Sequence, residues 1–293
     1  MVTDSPDLIA SYWTIAGDVE PLGPPAREAS PFDFRARVAA AARAGFCGLG
    51  LMESDLRNVR RHYDFATMAA ILAEHGMRHL EFEFVVGWLE DGEAGQAAQT
   101  SFDYLLEAAA ALGARHIKVG PDMHARAWPL DHMVERFAAL CAQARARNTA
   151  IALEIMPWSN LRTLDEGLAV VAGADAPNGG LLLDVWHLAR GGQDYADIGR
   201  IPARYLQHIE IDDADHEVVG TLLEDTLDRR RLCGEGALDV AAFLRAVQAA
   251  GYAGPYGVEI ISHEHRQRAL DAAAQLAYST ARAQFPASPL AAR

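Results

Sequence analysis

Short apolar runs rich in β-branched and aromatic residues alternate with Ala- and Leu-rich stretches along the chain, the pattern of repeated βα units. Strand-like runs fall at 8–16 (LIASYWTIA), 46–52 (FCGLGLM), 78–86 (RHLEFEFVV), 115–120 (RHIKVG), 150–156 (AIALEIM), 180–185 (GLLLDV), 205–212 (YLQHIEID) and 256–261 (YGVEII). Between them, apolar residues recur every three to four positions at 33–44, 64–75, 98–112 and 130–147, which predicts helices. Gly45, Gly76, Gly113 and Asn148 stand where those helices should stop, each a residue that tolerates the left-handed cap conformation. Eight alternations in 293 residues predict a single α/β domain over 1–293, a (β/α)8 TIM barrel, with a frayed tail from about residue 286. Two stretches exceed the minimal unit. Residues 17–31 would follow the first strand and 213–236 the seventh, both on the face where barrel active sites are built, so both are expected lids.

Composition adds exclusions. Half the residues are hydrophobic (51%), enough for a large core, whereas a formal charge of −14 and a pI near 5.2 oppose binding to nucleic-acid phosphates. Cys47, Cys141 and Cys233 are widely spaced and odd in number, which fits a reducing compartment better than a disulfide framework. Neither a signal peptide nor a long uncharged apolar run is visible, so a cytoplasmic protein without a membrane partner is expected.

The chemistry lies in the strand ends. Glu154, Asp184, Glu210 and Glu259 each sit late in an apolar strand, where alternation aims side chains at the barrel axis. Any one of them alone could pair with an arginine or face solvent. Four converging on one opening would repel one another, and a divalent cation resolves the conflict; hard oxygen ligands favour Mg²⁺ or Mn²⁺. His187 follows Asp184 by three residues, in reach of a substrate hydroxyl, or merely a packing histidine. His208 shares the inward face with Glu210 one layer lower, as a ligand or a support for one. Lys118 is an isolated cation in an apolar strand, there to neutralise a carboxylate or oxyanion or else to snorkel to the surface. Glu83 is preferred over Glu81 as a substrate-hydroxyl acceptor because it is nearer the strand end. Of Arg229, Arg230 and Arg231 on the long seventh loop, at least one could reach over the site, with Arg231 the expected substrate contact; an exposed charge run is the plainer alternative. Trp13, Trp88 and Trp158 offer aromatic walls for a sugar face or ordinary core packing, Trp13 and Trp158 being the expected substrate contacts.

At these residues the chain resembles the xylose isomerase-like barrel superfamily, which includes sugar phosphate isomerase/epimerase, inosose dehydratase-like, hydroxypyruvate isomerase-like and ketose 3-epimerase-like enzymes. The segments that carry the resemblance are 152–168 (ALEIMPWSNLRTLDEGL), 180–192 (GLLLDVWHLARGG), 207–215 (QHIEIDDAD), 229–247 and 254–260, with Asp184-x-x-His187 the most specific. It implies a metal held by Glu154, Asp184, the position of Glu210, and Glu259. Relatives commonly carry His, and some Gln, at the third position; either Glu210 is the ligand here or His208 replaces it, and Glu210 is the one that matches. The resemblance further implies proton transfer next to a carbonyl, with Glu154 and Glu259 as the groups that move the proton. Isomerase, epimerase and dehydratase share this constellation, acting on a small carbohydrate-like substrate, and many barrels of this type form homo-oligomers. Metal-assisted phosphodiester hydrolysis would call for more histidines and a basic face, and a non-catalytic sugar-binding barrel would not need Glu154, Asp184 and Glu259 together.

Overall fold

The computed structural model describes residues 6–286, so the expected tail lies almost wholly outside the described residues. Eight parallel strands close on themselves: β1 (Leu8–Ala10), β2 (Gly48–Met52), β3 (His79–Val85), β4 (His116–Val119), β5 (Ala150–Glu154), β6 (Gly179–Asp184), β7 (Leu206–Ile211) and β8 (Tyr256–Val258). Each pairs with its sequence neighbours, and β8 pairs back onto β1 with Leu8 opposite Tyr256. The expected (β/α)8 TIM barrel is the observed fold.

Helices packed outside the strands begin and end on local signals. Asp33 accepts the amide of Ala36 to cap Phe34–Ala44, Asp64 does the same for Phe65–Glu74 through Thr67, and Thr163 with Glu166 forms a reciprocal capping box before Leu164–Ala174. Gly45, Gly76, Gly113 and Asn148 all adopt positive φ, as their placement predicts. The sixth unit departs from the pattern. After β6 the chain makes only a short helix, Val185–Arg190, and two 3₁₀ segments, Tyr195–Arg200 and Ala203–Tyr205. A second departure is a correction: the run at 8–16 is strand only to Ala10, and Tyr12–Ile15 is a buried helical turn. An apolar run cannot by itself separate a buried strand from a buried helix.

Both long segments lie over the strand ends. Residues 17–31 contain a short helix, Pro25–Glu28. Residues 213–236 contain the helix Leu222–Asp228, opened by a Thr221–Glu224 capping box, and a two-stranded ladder pairing Asp213–Ala214 with Arg230–Arg231. Asp213 anchors the return of this loop by accepting the amides of Gly234, Gly236 and Leu238 at 2.9–3.0 Å. Among the described residues no helix is long and apolar enough to cross a membrane.

Candidate active site

Strand register brings the acids to one opening. Asp184 stands opposite Glu210 across β6–β7, Glu210 opposite Gly257 across β7–β8, and Glu154 opposite Leu182 across β5–β6. Glu259 lies two residues beyond Gly257, so the carboxylates step around the mouth with the stagger of the barrel. Ligand-capable oxygens of Asp184, Glu210 and Glu259 all fall within 4.8 Å of one another, and so do those of Glu154 and Asp184 with a nitrogen of His187. All five residues are buried.

Two buried cations thread this cluster. Lys118 Nζ lies 2.5 Å from Glu210 Oε1, 3.1 Å from Glu81, and 3.6 Å from both Glu83 and Glu259. Arg230 Nη1 lies 2.6 Å from Asp184 Oδ2 and 3.1 Å from Glu259 Oε2, and it also binds Asp212; its Nε and Nη2 donate to Thr226. Counted together, Glu81, Glu83, Glu154, Asp184, Glu210, Asp212 and Glu259 set seven buried carboxyl groups against two buried cations, an excess of acids that cannot all be ionised together. That excess appears as displaced proton affinities. Burial pushes Glu83 up to about 8, with Glu259, Glu81 and Glu154 adding to it against the pull of Lys118. Burial likewise raises Glu259, Glu210 and Asp212, whereas Arg230 and His187 hold Asp184 below its usual value despite its burial.

These observations test the fit of a divalent ion. Glu210 Oε2 is buried without a hydrogen-bond partner, the neighbouring oxygens of Asp184 and Glu259 are within shared-ligand reach, and buried acids outnumber buried cations. The donor set fits a hard divalent cation.

Above the carboxylates lies a narrow cavity of about 70 Å³, roofed more tightly than an open small-molecule cleft. Glu83, Glu154, His187, Arg230 and Glu259 are its polar lining, and its walls include Trp13, Trp158, Met52, Met156 and Ile261. The roof comes from both long segments, through Pro21 and Leu22 on one side and Leu223, Thr226 and Leu227 on the other. His187 Nε2 sits 3.0 Å from Glu154 Oε1, and its ring packs edge-on to Trp158 and Trp186.

The remaining expected contacts are placed elsewhere. Arg231 turns out of the cavity to Asp215 and Glu264, and Arg230 is the member of the run that enters it; the alternation that points Arg230 inward points Arg231 outward. Lys118 lies beneath the cavity, and His208 lies lower still against Glu81 and His116. Trp88 packs on Phe137 and donates to the carbonyl of Gly120, beside a separate groove formed after β3 and β4. Sequence reading passed over Asp212, Ser11 and Arg230 as individual contributors. For Asp212 a signal existed, since Glu210 and Asp212 share one face of IEID, but Ser11 gives none, although its hydroxyl bridges Glu81 and Glu210 at 3.1 and 3.0 Å.

Known proteins align with this picture. A family model described as xylose isomerase-like TIM barrel matches residues 38–280. A 3-dehydroshikimate dehydratase of Pseudomonas aeruginosa is 27% identical over 78% of the chain, which spans only 36% of that enzyme's length. An inosose isomerase of Bacillus subtilis is 24% identical over 62% of the chain and 66% of its own length. Among solved structures, the IOLI protein with a zinc atom superposes with a TM-score of 0.83 at 20% identity, covering 95% of this chain and 97% of that one.

Proposed function

We propose, from the premise that this chain belongs to the xylose isomerase-like TIM barrel family, that it is a divalent-metal-dependent isomerase or epimerase of an uncharged keto-sugar or keto-cyclitol. The observation that carries the reading is the mouth itself: Glu154 and Glu259 line one cavity, with Asp184 and Glu210 completing a carboxylate set directly beneath.

Glu154, Asp184, Glu210 and Glu259 would hold the ion, with Mn²⁺ or Mg²⁺ the best match to their oxygens. Bound there, it supplies Lewis-acid polarisation of a substrate carbonyl. Everything else falls to the protein. Glu154 accepts the proton from the carbon next to the carbonyl, and His187 at 3.0 Å orients that carboxylate and can hydrogen-bond a substrate hydroxyl. Glu259, which lines the cavity together with Glu154, is the group that returns a proton. Return to the same carbon from the other face gives the epimer; return to the former carbonyl carbon, with the adjacent hydroxyl proton passing to the former carbonyl oxygen, gives the isomer. Trp13, Trp158 and the methionines stack on the apolar face of the ring, and the two roof segments exclude water.

Charge selects the substrate class. Arg230 is held by three acids and Thr226, and Lys118 by four acids, so among the described residues the cavity has no unengaged cation for a phosphate or carboxylate. An inosose satisfies that condition; dehydroshikimate, with its carboxylate, does not. Dehydration is the second reading, favoured by the Pseudomonas relative, and follows if the same enolate expels a β-hydroxyl as water.

The test is a panel of neutral ketoses and inososes beside carboxylated and phosphorylated analogues, assayed with chelator-stripped protein before and after Mn²⁺ or Mg²⁺ is restored. Metal-dependent turnover confined to neutral compounds supports the reading. Turnover of anionic compounds refutes the substrate class, and turnover unaffected by chelation refutes the metal.

A further inference from the structure

Beneath the mouth lies a second polar cluster that the chemistry above leaves unused. Glu81 from β3, His116 from β4 and His208 from β7 converge inside the barrel, each with 0% of its surface exposed. Glu81 and His116 are register partners across β3–β4. His116 Nε2 lies 3.5 Å and His208 Nε2 3.0 Å from the same atom, Glu81 Oε2, and the two rings are 4.4 Å apart. None of these three atoms has hydrogen-bond geometry to any partner among the described residues, and neither does the Nδ1 of either ring. Unsatisfied polar atoms are costly in a barrel interior, and here three of them point at one another.

The spacing has a simple interpretation. Zinc-class ions bind imidazole nitrogen and carboxylate oxygen at about 2.0–2.2 Å in tetrahedral sites, which sets neighbouring ligand atoms about 3.4 Å apart. The observed 3.0 and 3.5 Å bracket that edge.

We infer that Glu81, His116 and His208 form a second cation site in the barrel floor, sharing no ligand with the mouth although His208 Nε2 lies 3.8 Å from Glu210 Oε1, and suited by its two imidazoles and one carboxylate to a zinc-class ion such as Zn²⁺ or Co²⁺. Its occupancy would tie β3, β4 and β7 together below the reacting groups.

X-ray absorption at the zinc edge reads this site directly, because the outer-shell scattering of two imidazoles is a signature the all-carboxylate mouth with its single His187 cannot produce. Zinc-loaded wild-type protein, freed of excess metal, is expected to show a two-imidazole component. That component should persist in Glu154→Gln/Asp184→Asn and vanish in His116→Phe with one equivalent of zinc lost. A wild-type spectrum without paired imidazoles overturns the inference, and needs no variant to fold. A His116→Phe spectrum identical to wild type overturns it equally. Paired imidazoles at a single equivalent that the mouth variant leaves untouched sustain the floor site and count against the mouth reading alone, so the two can fail separately.

Discussion

Replacing Lys118 by Met removes a buried ammonium while keeping most of the side-chain volume, and the cost follows from what Lys118 touches. Its Nζ serves four buried carboxylates, two of them within 3.1 Å. Breaking a buried ion pair from one side costs about 3–5 kcal/mol, because the partner is left charged and unpaired. At roughly 2–4 °C per kcal/mol for a domain somewhat smaller than this one, Tm should fall by about 6–20 °C. The pH dependence carries a sign. Pairing raises the proton affinity of Lys118, so in the wild type its stabilisation is complete below the unfolded lysine value of about 10.4 and is lost only as pH rises through the higher folded value. In the variant the uncompensated carboxylates are relieved by protonation. The gap to wild type should therefore narrow as pH falls from 7 towards 5. Calorimetry of chelator-treated wild type and Lys118→Met across that range is the assay. An unchanged Tm at pH 7, or a gap that widens on acidification, refutes the claim that this lysine holds the acid cluster together.

Three further outcomes are expected. Glu83 has its proton affinity raised by burial to about 8, above an unfolded value of about 4.3, so the folded state binds the extra proton and stability declines as pH rises between those values; in metal-free protein Glu83→Gln should flatten that decline in Tm against pH. His187→Asn removes the imidazole beside Glu154 and should cost about 10–100-fold in metal affinity or kcat, read by metal titration and steady-state kinetics. Gly45→Ala puts a Cβ 2.5 Å from the Tyr278 ring at a φ of +115°, so its urea midpoint should fall by the equivalent of more than about 1 kcal/mol.

The fold was legible because a parallel barrel repeats one local pattern eight times, and its stop signals at Gly45, Gly76, Gly113 and Asn148 are dictated by backbone sterics at single residues. The first strand was overextended because Tyr12–Ile15 is buried on all sides and so presents neither period. For the site, alternation along each strand placed Glu154, Asp184, Glu210 and Glu259 towards a common axis. Pairings were illegible. Arg230 meets Asp184 across 46 residues and Lys118 meets Glu210 across 92, and nothing in local spacing says which of three consecutive arginines turns inward. His208 was a candidate from its strand position and Glu81 was weighed beside Glu83, but their association with Ser11 and His116 was hidden, since it exists only once β1, β3, β4 and β7 are wound around one axis.

Proton transfer at the carbon next to the carbonyl is the central claim, and deuterium wash-in observed by NMR tests it most directly. With an inosose or neutral ketose in D₂O and Mg²⁺-loaded protein, wild type should place deuterium at that carbon, and Glu154→Gln, with metal still bound, should slow the exchange at least about 100-fold. Exchange that survives Glu154→Gln and Glu259→Gln alike, or turnover of such a substrate without deuterium incorporation, would contradict the assignment of these glutamates as the groups that move the proton.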